Sequence, residues 1–163
     1  MLNPKDTRIL STNDENIRIA AQLIQNGDVA AMPTETVYGL AADATNPKAI
    51  RRIFKIKGRP QDNPLIVHIS DISMLERLTS NVPKIAHELA KDFWPGPLTI
   101  VLPKSNLIPY EISAGLDTVA IRMPDHDVAI RLINESGVPI AAPSANKSGS
   151  PSPTTANHVY DDL

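Results

Sequence analysis

"LTIVLPKSNLIPYEISAGLDTVAIRM", residues 98–123, decides the fold, because it holds two strand-type runs with no obvious helix between them. "LTIVL" and "TVAIRM" are short, rich in β-branched residues and bounded by proline, asparagine and glycine, the punctuation of strands. Parallel neighbours need a crossover of a dozen or more residues, usually helical, whereas antiparallel neighbours do not. A sheet containing this pair therefore reads as mixed.

On either side of the pair, strand and helix signals alternate. Before it, "STNDENIRIAAQLIQNG" carries Ile17, Ala20, Ala21 and Ile24 at helical spacing, with Thr12 and Glu15 as a capping box and Gly27 as the stop. "DVAAMP" reads as a short buried strand ended by Pro33, and "TETVYGLAADA" as a turn-rich connection. Asn46 and Pro47 cap and open the basic amphipathic helix "PKAIRRIFKIK", which stops at Gly58. "PLIVHI" is a strand, and "DISMLERLTS" and "PKIAHELAKDFW" are helices. After the pair come a helix, "DHDVAIRLINESG", capped by Asp125 and stopped by Gly137, then a strand, "PIAAP", and a final helical opening, "TTANHVYDDL". The reading is an α/β protein, an open mixed sheet with helices packed on it.

Length and composition agree with one such domain spanning residues 1–163. The chain is 42% hydrophobic and 21% charged, and no apolar run approaches the roughly 20 residues of a membrane span. "MLNPKDTRIL" lacks the charged start and apolar core of a secretory signal, which makes the cytoplasm the expected compartment. With no cysteine, disulfides, thiolate nucleophiles and cysteine-ligated zinc are excluded. His68, His87, His126 and His158 lie without ligand spacing, so no structural metal is expected. The net charge of -2 argues against nucleic-acid binding through bulk charge but allows a concentrated basic pocket.

Three polar loops border predicted strands, where α/β sheets place ligands. "PTETVYGL" offers the hydroxyls of Thr34, Thr36 and Tyr38 and one charge, Glu35; alternatively it is simply an ordered turn. "KGRPQDNP" sets Lys57 and Arg59 two residues apart around Gly58, suited to phosphate oxygens or, more blandly, to a solvated helix end. "PSANKSGSPSP" supplies Ser144, Asn146, Ser148 and Ser150, groups that suit phosphate or ribose, or form a flexible linker. Strand alternation puts Arg122 on the face opposite Val119 and Ile121. There it either pairs with an internal carboxylate or receives an anionic ligand. His68 reads as a hydrogen-bonded core residue in preference to a catalyst. No G-x-S-x-G, P-loop or G-x-G-x-x-G spacing occurs, so the loops advertise anion binding rather than a nucleophile.

"PTETVYGL", "KGRPQDNPLIVHI", "FWPGPLTIVL", "VAIRMPDH" and "PIAAPSANKSG" stand in the order found in the YrdC-type threonylcarbamoyl-AMP synthases, and from about Asp28 to about Val159 the chain strongly resembles that family. The family's Lys-x-Arg and Ser-x-Asn signature falls on Lys57, Arg59, Ser144 and Asn146. The resemblance implies a twisted open α/β sheet, related to the dihydroxybutanone phosphate synthase fold, with a concave, locally positive face. It implies a nucleotidyltransferase that joins L-threonine, bicarbonate and ATP into threonylcarbamoyl-AMP and pyrophosphate. Mg²⁺ would be held through the nucleotide phosphates. The product would pass to tRNA threonylcarbamoyl-transfer proteins, with contact to tRNA itself left open.

By that resemblance Lys57 and Arg59 are catalytic and hold ATP phosphates, with Pro60, Asn63, Ser144 and Asn146 on the nucleotide. Thr34, Tyr38, His68 and Arg122 line the threonine pocket. Family members continue past "HVYDDL" through a strand, a Glu-Ser-Thr segment and an Arg-Pro-Gly segment, so the chain is expected to be incomplete at its C-terminus. The rival reading is a non-catalytic RNA- or nucleotide-binding module of the same fold, with no use for threonine.

Overall fold

Asn46 opens the second helix as its sequence demands: its side chain accepts from the backbone N–H of Lys48 at 3.0 Å, and Pro47 occupies the first turn. The computed structural model describes residues 7–163, so the first six residues of the stretch read for a signal lie outside the described residues. The helices are α1 (Asp14–Gln25), α2 (Pro47–Lys57), α3 (Ile72–Leu78), α4 (Lys84–Phe93), α5 (Tyr110–Ser113), α6 (Asp127–Ser136) and α7 (Ala156–Asp162). The strands are β1 (Ala30–Met32), β2 (Gly39–Asp43), β3 (Ile66–His68), β4 (Ile100–Pro103), β5 (Thr118–Arg122) and β6 (Ile140–Ala141). No helix among the described residues is long and apolar enough to cross a membrane.

The six strands form one open sheet in the order β1-β2-β6-β3-β5-β4. Only β3 and β5 run parallel; the other neighbours are antiparallel, including the β4–β5 pair on which the mixed sheet was predicted. The segment between β4 and β5 does contain the four-residue helix α5, too short to serve as a crossover.

Three expectations need correction. "GLAAD" is not a connection but a strand, β2, paired with β1 on one side and β6 on the other. Its alanines have little intrinsic strand preference, so tertiary pairing decides. Asn13, not Thr12, caps α1, accepting from the N–H of Asn16 at 2.9 Å. His126, not Asp125, caps α6 through Nδ1, which accepts from the N–H of Val128 at 3.2 Å.

Alternation along the strands sorts residues onto two faces. One face carries Leu40, Ala42, Val67, Ile100, Val119, Ile121 and Ala141. These are packed in the larger core with Ile50, Ile53 and Phe54 of α2, Leu75 and Leu78 of α3, Ala86 and Ala90 of α4, and Ile112 of α5. The opposite face is covered only in part. Over β1, β2 and β6, residues Met32, Ala41 and Ile140 pack against Ala21 and Ile24 of α1 and Ala129, Leu132 and Ile133 of α6. Arg131 of α6 also pairs with Asp14 and, at 3.0 Å, with Asp127; both acids are largely exposed, so the apolar contact holds this layer. Over β3, β5 and β4 the same face stays open, with Val101 60% and Ile66 36% exposed.

Candidate functional site

Because β3 and β5 are parallel and His68 registers with Arg122, the two side chains stand side by side on the open half-face. His68 also registers with Ile140 of β6, a residue buried under α1 and α6, so the histidine marks the border between covered and open halves. A cleft of about 230 Å³ lies there. Its walls are His68 and Arg122, Arg59, Pro64, Leu65 and Ile66 from the segment before and within β3, Val37, and Ala142, Pro143 and Ser144 after β6.

Arg122 is 9% exposed and its guanidinium is well provided with partners. Nε donates to the carbonyl of Gly96 at 3.3 Å, Nη2 pairs with the Glu35 carboxylate at 2.5 Å, and Nη1 and Nη2 lie 3.4 and 3.3 Å from the Thr36 hydroxyl. Of the two alternatives left open by the sequence, the structure shows the pairing with a carboxylate of the same chain, and it also places the arginine on the wall of the cavity. Burial pushes the Glu35 carboxyl up, but hydrogen bonds from Arg122 and backbone groups and the arginine's charge outweigh it and leave the carboxyl below its ordinary value. His68 is 3% exposed, and burial, aided by the charge of Arg122, pushes its pKa down to about 4. It is therefore neutral at pH 7, and its Nδ1 has no hydrogen-bond partner.

Lys57 takes an unexpected position. Gly58, at φ 59°, ends α2 in a left-handed turn, and Lys57 is 3% exposed. Its ammonium donates to the carbonyls of Ser144 and Asn146, the latter at 2.5 Å, while its own carbonyl accepts from the N–H of Ser148 at 2.8 Å. Burial, with the charge of Arg59, brings its pKa down to about 8, against the opposing pull of Asp162. Asp162 in turn accepts from the N–H of Lys147 at 2.6 Å. Helices α2 and α7 thus grip the Ser-x-Asn loop from two sides.

Arg59 reaches the cleft and donates to the carbonyl of Pro64 at 3.2 Å, with Nε buried and unpaired. Asn146 donates to the carbonyls of Lys147 and Ser150, both at 2.8 Å, leaving Oδ1 buried and unpaired. Among the described residues, Arg59 Nε, His68 Nδ1 and Asn146 Oδ1 are the buried side-chain atoms without a partner, and all three belong to predicted site residues. Buried polar atoms left unpaired are costly and rare; Arg59 and His68 are walls of the cleft, and Asn146 lies two residues beyond its wall Ser144.

Other expected residues stand apart. The Thr34 hydroxyl is spent within its own loop, donating to the carbonyl of Val37 at 2.7 Å and accepting from the N–H groups of Thr36 and Val37 at 3.2 Å. Tyr38 packs on the larger core, and Pro60 and Asn63 are exposed beyond the cleft walls. Sequence reasoning singled out the loop that carries Glu35 and Thr36 but gave neither residue a role in the site. The one available signal was a lone carboxylate in a strand-end loop and, elsewhere, a strand arginine in need of a partner.

Fold and cleft together define a class: an open-sheet α/β protein with two guanidinium groups at a cleft on its uncovered half-face. Within it the chain belongs to the Sua5/YciO/YrdC family, whose profile, described as "Telomere recombination", matches residues 22–163. It is 60% identical over 155 residues to a threonylcarbamoyl-AMP synthase of Bacillus subtilis, covering 94% of this chain and 45% of that protein. It is 60% identical over 147 residues to one of Pyrococcus abyssi, covering 90% and 43%. The structure of Pyrococcus abyssi Sua5 complexed with L-threonine superimposes with a TM-score of 0.91 at 57% identity, covering 96% of this chain and 45% of that one. The chain thus spans a little under half the length of these relatives.

Proposed function

We propose that this chain forms threonylcarbamoyl-AMP and pyrophosphate from L-threonine, bicarbonate and ATP, for threonylcarbamoyladenosine modification of tRNA. The observation that carries this reading is the single cleft that gathers Arg122 and His68 with Arg59 and Ser144. Support comes from relatives at 60% identity that bear the synthase name, and from a Sua5 of the same fold that holds L-threonine.

Arg122 takes the threonine carboxylate, since a planar fork suits a carboxylate. Neutral His68 lines the amino-acid side, beside Arg122. Arg59, Ser144 and Asn146 take the nucleotide. Threonine's amine and bicarbonate give a carbamate with loss of water; a carbamate oxygen then bonds to the α-phosphorus of ATP as the bond to pyrophosphate breaks. The attacking atom belongs to the substrate, so the protein's contribution is positioning and stabilisation of phosphoryl charge. Lys57 contributes by bracing the carbonyls of Ser144 and Asn146, fixing the loop that meets the nucleotide. No cluster of three or more metal-ligating side chains occurs among the described residues, so Mg²⁺ is proposed to come with the nucleotide phosphates. The proposed setting is the cytoplasm, with tRNA threonylcarbamoyl-transfer proteins downstream.

The test is pyrophosphate release from ATP by this chain, with Mg²⁺ and bicarbonate, with and without L-threonine. Threonine-dependent release is expected. ATP or RNA binding with no effect of threonine on pyrophosphate release would instead support a non-catalytic binding module.

A further inference from the structure

We propose that Glu35 makes this cleft select a zwitterionic amino acid over a simple carboxylic acid, by receiving the ammonium group while Arg122 receives the carboxylate. The inference rests on the reading of Arg122 as the carboxylate anchor and adds to it a second, oppositely charged half.

The argument begins with what Arg122 has already. Its Nη2 is 2.5 Å from Glu35, its Nε is held by Gly96, and Thr36 lies at 3.3–3.4 Å. The side chains of the pair are only 11% and 21% exposed. Among the described residues, Arg122 is the one cation paired with Glu35. A carboxylate entering the cleft must share or take over the guanidinium, and Glu35 then loses part of its only counter-charge. Removing one partner of a partly shielded pair leaves the other charge with water alone to compensate it, which carries a cost. A ligand that is only an anion therefore meets a penalty at this site.

A zwitterion does not. Its carboxylate takes the arginine and its ammonium supplies Glu35 with a new cation, so two ion pairs replace one and neither protein charge is stranded. Glu35 is not itself a wall of the cleft but touches Arg122, which is, and its loop is held in place. Thr34 pins the turn around it, and the loop's end is fixed by the N–H of Tyr38 donating to Pro153 at 2.8 Å. The carboxyl's lowered pKa keeps it charged at neutral pH and makes it a weak proton acceptor. Its role is thus to bind the ammonium, while deprotonation of the amine falls to another acceptor.

Two ligands separate this proposal from its alternatives: L-threonine, and 3-hydroxybutanoate, which keeps the carboxylate and hydroxyl but lacks the amine. Calorimetric titration of the 163-residue chain is expected to show a preference for threonine of about tenfold or more. In Glu35→Gln, checked for folding by circular dichroism, that preference falls by about tenfold, mainly through weaker threonine binding, and Glu35→Asp recovers part of it. A Glu35→Gln chain that folds and keeps the parent preference within about twofold overturns the proposal while leaving Arg122 as carboxylate anchor. Failure of the parent chain to bind threonine overturns both.

Discussion

The two halves of one sheet face differ in what covers them. Over β1, β2 and β6, the outward positions are Met32, Ala41 and Ile140, sealed by α1 and α6. Over β3 and β5, the equivalent positions next to Ile140 are His68 and Arg122, and they face a cleft. Strand geometry and alternation are the same in both halves. The change from apolar to polar side chain, across a single strand boundary, accompanies the change from a packed layer to an open cleft. In this molecule the lack of a helical cover over β3 and β5, rather than any special backbone motif, leaves room for the cleft.

The sharpest way to break this comparison is to cut one side chain from each half. Arg122→Met removes a charge-assisted anchor and is expected to cost roughly 2–5 kcal/mol of ligand interaction, tens- to thousands-fold in threonine-dependent pyrophosphate release. The circular dichroism spectrum should remain that of the parent. Ile133→Ala, at a position 1% exposed under the covered half, is expected to lose about 2–5 kcal/mol of unfolding free energy with little change in turnover per folded molecule. Equal losses of activity from both, at temperatures where both are folded, would erase the distinction.

A smaller effect lies at the border. The folded-state pKa of His68 is about 4, against an ordinary value of 6.5, so between these pH values the unfolded chain binds more protons at this residue. Its contribution to stability is complete above pH 6.5 and is lost as pH falls towards 4, amounting to roughly 3 kcal/mol over the window. Urea midpoints at pH 4.8, 5.8 and 7.0 should fall more steeply with acid in the parent than in His68→Asn; parallel slopes would refute it. Glu35 adds a loss in the same direction, but only as pH falls through its lowered pKa, below 4.5. Smallest of all, Val101→Thr on the open half, at a residue 60% exposed, should shift unfolding free energy by no more than about 0.5 kcal/mol.

Much of this architecture was legible because local patterns agree with it. Asn46-Pro47 starts α2, Gly58 and Gly137 end α2 and α6 in left-handed turns, and the β4–β5 run announces the mixed sheet. What escaped reading depends on distant partners. Strand β2 exists because β1 and β6 flank it, and nothing in "GLAAD" says so. His68 and Arg122 could each be placed on a face by alternation, but their adjacency follows from register between strands 54 residues apart in sequence. The Glu35–Arg122 pair and the use of Lys57 to brace a loop 87 and more residues away belong to the same category. Helix α5 was missed for a different reason: four residues give periodicity too little length to show.

The position of β6 carries a consequence for the order in which the molecule can be assembled. Among the described strands it stands between β2 and β3, so the β1-β2 hairpin and the β3-β5-β4 group share no ladder without it. Yet β6 is the last of the described strands, and the segment after it also bonds to Tyr38 and Leu40. A ribosome releasing this chain from its N-terminus would expose two unjoined pieces of sheet until Ile140 and Ala141 emerged. The long loops closed at that point make sheet completion a late, non-local and comparatively slow event. Because the cleft's walls include Ala142, Pro143 and Ser144, the completed cleft and the finished sheet would arrive together.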